Sequence, residues 1–342
     1  MEIQAAIRRV LDGADLDEAE MTAVMRRIMT GEATPAQIGG FLIGLAMKGE
    51  TVTEIAAAAT VMRELAVRVE VAAEHLVDTC GTGGDARGTF NISTATAFVV
   101  AAAGGRVAKH GNRSVSSASG SADLLQSAGA NLTLDAAAVA ECIERVGVGF
   151  LFAPQHHQAM RHAIGPRREM GVRTIFNLLG PLTNPAGAPN QLLGVYDARW
   201  VRPVADVLRT LGSERVMVVH SEDGLDEISI AAPTRVAELR DGAVREYRIR
   251  PEDFGLASAA LEPLQVDSAE RSLEMIKAIF DGLPGPGADL LALNAGAAIH
   301  VAGLEDHLGD AVARAGELLA SGVVRERFDA FIETTRALGE TP

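Results

Sequence analysis

From residue 2 to about residue 66 the apolar positions recur at helical intervals, with no sustained strand-like alternation. Helix-start residues punctuate the run. Asp17 stands three residues before Glu20, the spacing of a capping box, and Gly31 reads as the stop. Thr34-Pro35 with Gln37 marks a second start, with proline at the first helical position, and Thr51 with Glu54 marks a third. Ile38, Phe41, Leu42 and Leu45 share one strongly apolar face. A small helical lobe built this way leaves faces that need cover, so a homodimer contact through it is expected beside its internal core.

Beyond residue 75 short apolar runs alternate with helical patterns. Strands are predicted at Leu76–Asp78, Arg106–Lys109, Phe150–Phe152, Leu192–Val195 and Val216–His220. Helical patterns such as Ala95–Ala103, Ala122–Ala128, Asp135–Val146 and Val201–Leu211 lie between them. That alternation predicts βαβ units and a mostly parallel sheet, with ligands at the carboxyl ends of the strands. Residues 161–184 break it and read as helix, turn, helix returning to the N-terminal lobe. The expectation is an α/β protein with a small all-helical N-terminal domain and a larger α/β domain around a central, mostly parallel sheet. Residues 1–72 would form the helical domain, with 160–185 packing on it, and 73–159 with 186–342 the larger one.

Charge narrows the function classes. The 342-residue chain has a formal net charge of −14 and no Lys/Arg block, the opposite balance from a nucleic-acid binder. No apolar run reaches membrane-spanning length, and the acid-containing N-terminus has no signal core. Cys80 and Cys142 form no CxxC pair, which fits a reduced, cytoplasmic compartment.

Chemistry concentrates in polar segments that follow the predicted strands. Asp78-Thr79-Cys80-Gly81-Thr82-Gly83-Gly84-Asp85 precedes Asn91-Ile92-Ser93-Thr94, which opens an apolar helix. Glycine N–H groups before a helix N-terminus bind anions, and the hydroxyls of Ser93 and Thr94 can bind phosphate or a hydrated Mg²⁺. Gly81, Gly83 and Ala86 also match a dinucleotide pattern, but residues 101–105 lack the ribose-binding acid, and no Walker-A loop occurs. A second segment runs from Lys109 to Ser117, followed by Ser121 at the start of a helix. Lys109 reads as a point charge for phosphate, and the serines as small donors. In Asp223-Gly224-Leu225-Asp226-Glu227 the carboxylates can converge on hard cations. Among Arg161, Arg167, Arg168 and Arg173, an arginine can clamp a carboxylate, although helix-surface charge explains most of them. His156, His157 and His162 lack metal-site spacing and are expected to pack near the site mouth.

Taken together, GTGGD at 81–85, NIST at 91–94, KHGNRSVSS at 109–117, GSAD at 120–123, RRE-x-G-x-R-T-x-FNLLGPLTNP at 167–185 and DGLDEIS at 223–229 resemble the anthranilate phosphoribosyltransferases. Asn294-Ala295-Gly296 resembles that family's late helix. The resemblance implies transfer of the phosphoribosyl group of 5-phosphoribosyl 1-pyrophosphate to anthranilate, in tryptophan biosynthesis. It implies that Gly81, Gly84, Asp85, Thr89, Asn91, Ile92, Ser93 and Thr94 bind the pyrophosphate substrate. Lys109, His110, Gly111, Asn112, Arg113, Ser114, Val115, Ser116, Ser117 and Ser121 would join them. Gly81, Asn112 and Arg167 would bind anthranilate. Ser93 with Glu227 would hold one Mg²⁺, and Asp226 with Glu227 a second, two ions per subunit. No residue is implied as a dedicated acid or base. Gln158 and Pro166 depart from the family pattern beside the expected anthranilate pocket. A nucleoside phosphorylase and a non-catalytic nucleic-acid-binding relative of the same fold are the other readings.

Overall fold

A computed structural model of the chain describes residues 1–85, 87–114 and 119–339. It opens with helices α1 (Ile3–Leu11), α2 (Glu18–Thr30), α3 (Pro35–Lys48) and α4 (Val52–Glu64). Each predicted start forms its full capping box. Asp17, Thr34 and Thr51 accept the backbone N–H three residues on, and Glu20, Gln37 and Glu54 return the bond to the cap. Gly31 ends α2 at φ 83°, a left-handed conformation that a side chain would strain.

A buried charge ties this lobe together. Glu54 is fully buried and accepts from Leu16 N at 2.9 Å, Thr51 N at 2.8 Å and Lys48 Nζ at 3.0 Å. Lys48 also donates to Asp15 at 2.6 Å. Both oxygens of the buried carboxylate therefore have donors, the condition for burying a charge without a large penalty.

The rest of the chain runs β1 (Leu76–Gly81), α5 (Ile92–Ala102), β2 (Arg106–Gly111), α6 (Ser121–Ser127), α7 (Ala136–Val146) and β3 (Val148–Phe152). Then come α8 (Ala153–His156), α9 (Arg161–Met170), α10 (Phe176–Leu179), β4 (Asn190–Gly194), α11 (Val201–Thr210) and β5 (Arg215–Ser221). A hairpin of β6 (Thr234–Arg240) and β7 (Ala243–Ile249) precedes α12 (Ala269–Phe280), α13 (Pro286–Val301), α14 (Leu308–Ser321) and α15 (Val323–Gly339). The sheet has the order β3-β2-β1-β4-β5-β6-β7. The strands from β3 to β5 are parallel, and β6 and β7 are antiparallel additions at one edge.

Strand alternation divides the interior. Val77, Leu192, Met217 and Val219 face a core shared with α5 and α12 to α15. Cys80, Leu193, Val216 and Val218 face the other way, into a core continuous with that of α1 to α4. Within this second core α9 lies against α2 and α3, and α10 against α4. The chain thus leaves β3, crosses the helical lobe and returns to the middle of the sheet at β4. The order reversal between β1 and β4 opens a crevice at their carboxyl ends, where open α/β sheets bind ligands.

Two features went beyond the predicted pattern. β1 continues through Asp78, Thr79 and Cys80, because these polar side chains are buried rather than looped into solvent. The β6–β7 hairpin was not predicted. Its turn is Asp241-Gly242, with φ of 52° and 73°, the two-residue turn that suits strand twist. Along β7 the charged Arg245, Glu246 and Arg248 mark an edge strand protected from pairing with another sheet.

Glu54→Leu removes the acceptor for two backbone N–H groups and leaves the buried Lys48 ammonium with only Asp15 and Gly49 O as acceptors. Urea unfolding should show a loss of about 3–5 kcal/mol. Glu64→Leu, which breaks only an exposed pair with Arg26, should stay within about 0.5 kcal/mol. Equal losses in the two variants would refute this account of the lobe.

Candidate active site

At the crevice the backbone of one loop touches two strands. A Cβ on Gly194 would lie 1.4 Å from the Asp226 carbonyl oxygen, and one on Gly81 would lie 2.6 Å from Asp226 Oδ2. Only glycine fits at either strand end. Thr82 N donates to Gly194 O at 2.9 Å, and Gly83 N donates to Asp226 Oδ2 at 2.8 Å. Asp223 shapes the loop from within, accepting from Leu225 N at 3.2 Å and from Ser229 Oγ at 2.6 Å.

This packing buries both acids, each 8% exposed. Burial, and then the Asp85 carboxylate, push the Asp226 carboxyl up to about 7 against the N–H of Gly83. Burial, and then Asp226, push the Glu227 carboxyl up to about 8, while Lys109 and the N–H of Ser93 pull it down. Near neutral pH both acids therefore hold protons more readily than exposed carboxylates do, and a cation would compete with those protons. Among the described residues no three His, Cys, Asp or Glu side chains converge as a metal cage. The pair fits a hard cation that takes its remaining oxygens from hydroxyls, water or substrate.

Beneath the acids sits Lys109. Its side chain is buried, and Nζ donates to Thr79 O at 2.5 Å and to Ser93 Oγ at 3.3 Å. Burial lowers its pKa, opposed by Asp78 and Glu227. Lys109 was expected at the end of a strand as a point charge for phosphate, and the strand runs two residues further than expected. β2 runs to Gly111, so Lys109 lies inside a strand and acts from below on Ser93 and the acid pair. Asp78, pushed up to about 6 by burial, accepts from His110 N at 3.2 Å. Asp78 stood in the glycine segment without a role of its own, and Ser272 did not stand out in the sequence pattern.

The glycine loop carries positive φ at Gly83 (68°) and Gly84 (80°). Arg173 stacks over the Tyr196 ring at 4.2 Å and donates to Gly84 O at 2.5 Å, tying the helical segment to this loop. Asn91 is engaged by the protein itself. Its N–H donates to Ser272 Oγ at 3.0 Å, its Nδ2 donates to Ser119 O at 3.1 Å, and its Oδ1 accepts from Ser119 and Ser272. Ile92 is buried and Thr89 bridges to Gln265. Ser93 presents a half-buried hydroxyl, whereas Thr94 Oγ1 is buried without a partner among the described residues.

The second loop closes on itself. A Cβ on Gly120 would lie 2.4 Å from Ser114 N, and one on Gly111 would lie 2.2 Å from Ser121 Oγ. Asp123 accepts from Ser114 N and Gly120 N, both at 2.9 Å, and from Arg113 at 3.1 Å. These donors overcome burial and hold its carboxyl below the usual range. The signal for Asp123 was its place three residues after Gly120 at a helix start. Asn112 and Arg113 are exposed, and Ser121 Oγ donates to Asn112 O at 3.3 Å. Val115, Ser116 and Ser117 lie outside the described residues.

His110 packs its ring 5.0 Å from that of His157, and both are buried. Burial lowers both, His157 to about 4, so they are neutral. His156 Nδ1 meets Val67 O at 2.9 Å. His156 and His157 are therefore interior residues rather than groups at the mouth.

Arg167, on α9, sits 5.0 Å over the Phe176 ring, half-buried, with its pKa lowered by burial. Among the described residues it has no carboxylate partner and bonds to neither Gly81 nor Asn112. Pro166 is buried in α9 beside it, and Gln158 is exposed. Arg161 and Arg168 are exposed.

Residues 73–324 match the glycosyl transferase family, a/b domain, and residues 4–66 match the glycosyl transferase family, helical bundle domain. The chain is 66% identical to the anthranilate phosphoribosyltransferase of Alkalilimnicola ehrlichii, over 98% of this chain and 99% of that one. It is 61% identical to that of Halorhodospira halophila, over 99% and 100%. The crystal structure of anthranilate phosphoribosyltransferase from Thermus thermophilus superposes with a TM-score of 0.92 at 44% identity, covering 97% of this chain and 99% of that chain. The Saccharomyces cerevisiae enzyme in complex with PRPP and Mg shares the fold, with a TM-score of 0.89 at 23% identity over 98% of each chain. With its relatives aligned along nearly their whole length, the chain belongs to the anthranilate phosphoribosyltransferase family.

Proposed function

We propose that this chain transfers the phosphoribosyl group of 5-phosphoribosyl 1-pyrophosphate to the amine of anthranilate, giving N-(5-phosphoribosyl)anthranilate and pyrophosphate for tryptophan biosynthesis. The observation that carries this reading is the buried Asp226–Glu227 pair in the strand crevice, beside a glycine loop and above Lys109. A phosphorylase using free phosphate has no need for two buried acids that require a cation.

In this reading the glycine loop and the start of α5 receive the pyrophosphate, with Ser93 Oγ oriented by Lys109. Asp226, Glu227 and Ser93 hold Mg²⁺, one ion through Ser93 and Glu227 and a second through Asp226 and Glu227. Bound Mg²⁺ offsets the negative charge that grows on the departing pyrophosphate. The bond from ribose C1 to the pyrophosphate oxygen breaks with its electron pair, and the anthranilate nitrogen supplies the pair for the new C1–N bond. That amine is neutral at pH 7, so it needs no deprotonation before attack, and the extra proton leaves afterwards to solvent or pyrophosphate. Arg167, which has no carboxylate partner among the described residues, offers two parallel bonds to the anthranilate carboxylate, and Asn112 and Gly81 complete the acceptor position. Holding two substrates end to end supplies much of the remaining acceleration.

The partner is a second copy of this chain. Leu11, Ile43 and Met47 are exposed on the adjoining helices α1 and α3, 66%, 37% and 80% respectively, beside the buried face of the lobe. Among the described residues no helix is long and apolar enough to cross a membrane, and the reading places the enzyme in the cytoplasm.

Mixing protein, anthranilate, 5-phosphoribosyl 1-pyrophosphate and Mg²⁺ should quench anthranilate fluorescence only when all are present; phosphate-dependent cleavage of nucleosides instead would overturn the assignment. Arg167→Ala should raise the KM for anthranilate about 10-fold or more with a smaller change in that for the phosphoribosyl donor, and the reverse pattern would misplace the acceptor. Light scattering after size exclusion should give a dimer that Met47→Glu weakens; a concentration-independent monomer would remove the lobe interface.

The acids also predict a pH effect on stability. Glu227 ionises near its usual value when unfolded but only near pH 8 when folded, so the folded state binds more protons between about pH 4 and 8. Stability must then fall as pH rises through that window. In metal-free protein Glu227→Gln should be the more stable form at pH 8, by about 1 kcal/mol or more, with the gap closing toward pH 5. A gap that widens on acidification would refute the burial argument.

A further inference from the structure

The acid loop is held from behind by a residue that touches neither substrate position. Asn294 lies in the middle of α13, a helix whose residues from Leu290 to Val301 are all buried. Its side chain is fully buried and grips one backbone unit from both sides. Oδ1 accepts from Ile228 N at 2.9 Å, and Nδ2 donates to Ile228 O at 2.8 Å. The second Nδ2 hydrogen goes to Leu290 O at 2.9 Å, one turn back along α13. These bonds use both amide hydrogens, and they fix which way the amide points.

Ile228 directly follows Glu227. A carboxamide is the side chain that can both accept from an N–H and donate to the C=O of the same residue, as the neighbouring strand of a sheet would. No strand is available there: β5 ends at Ser221 and β6 begins at Thr234. Asn294 thus stands in for a strand partner at the one point where the loop carries its second acid. On the other side the glycines at the ends of β1 and β4 hold Asp226. The loop is clamped in front at Asp226 and behind at Ile228, with Glu227 between the clamps.

We infer that Asn294 is a positioning residue for the Asp226–Glu227 pair, fixing the Glu227 carboxylate for the divalent cation through the backbone of Ile228. The inference rests on the proposed function, since it concerns the cation that reaction requires. Asn294 contacts no substrate and supplies no ligand of its own. Groups that orient metal ligands are commonly worth about 10- to 100-fold in metal affinity or activity.

Asn294→Leu keeps the branched shape and removes all three bonds, and Asn294→Ser removes those to Ile228 with a smaller apolar insult. Thr335→Val is the matched control. Thr335 is also buried in a helix; its hydroxyl accepts from Asn131 N at 3.1 Å and donates to Ile332 O at 2.9 Å, in a part of the α/β domain formed by α15 and residue 131. Three readouts separate positioning from stability: amide hydrogen exchange at Ile228 without metal, Mn²⁺ binding by calorimetry with 5-phosphoribosyl 1-pyrophosphate present, and steady-state kinetics against Mg²⁺. All three variants should lose thermal stability. Only the Asn294 variants should show faster exchange at Ile228, Mn²⁺ binding weakened about 10-fold or more and an equal rise in half-saturating Mg²⁺, with the KM for anthranilate little changed. If Asn294→Leu does not fold, Asn294→Ser carries the comparison. A folded Asn294 variant with lowered stability but wild-type Mn²⁺ binding overturns the inference while leaving the transferase reading intact. Wild-type protein that neither binds Mn²⁺ with the donor nor turns over overturns both.

Discussion

The contact on which the site depends is the one between the Asp226 backbone and the ends of β1 and β4. There is no room for a single carbon at Gly81 or Gly194. Because the loop lies so close, Gly83 N reaches Asp226 Oδ2, and the two acids are drawn out of water. Removing that contact would relax the loop into solvent, where adjacent carboxylates ionise independently and bind cations weakly. The parallel sheet supplies the crevice, and the two glycines decide how deeply the acids enter it.

Buried or half-buried charge recurs through the molecule, and each instance joins separate segments. Glu54 fastens α2, α3 and α4 in the helical lobe. Lys109 joins β1, β2 and α5 under the site. Asp123 closes the two ends of the second loop. Isolated charges in such places would be costly, so each is matched by several donors or acceptors. The same matching gives the protein one arrangement at those points rather than several. Between Asp226 and Glu227 the matching is incomplete, and that is where chemistry is expected.

Much of this was legible in the chain itself. The capping boxes at Asp17, Thr34 and Thr51 are local signals, each complete within four residues, and they form as read. The strands that precede the glycine and acid loops were readable because apolar runs end abruptly in polar residues. The edge hairpin was not predicted, although Asp241-Gly242 is a strong local turn signal, because attention to βαβ alternation leaves no place for antiparallel strands. The partners of Lys109 were not legible for a different reason. The strand Arg106–Lys109 was legible, but what holds the lysine inside is a pair of partners, Thr79 and Ser93, that come from other segments. Pairing across the chain leaves no trace in periodicity. Asn294 was noticed only through resemblance for the same reason, since its partner Ile228 lies on a distant loop.

The raised proton affinity of the buried acids couples protons to cations in the crevice. Burial favours the protonated form of both acids, and a divalent cation held by them would compete with those protons. Filling the site would therefore release protons to the surroundings, and emptying it would take them back. The heat measured on loading then includes the ionisation of whatever buffer receives the proton, so a tris solution and a phosphate solution report different enthalpies for one and the same event.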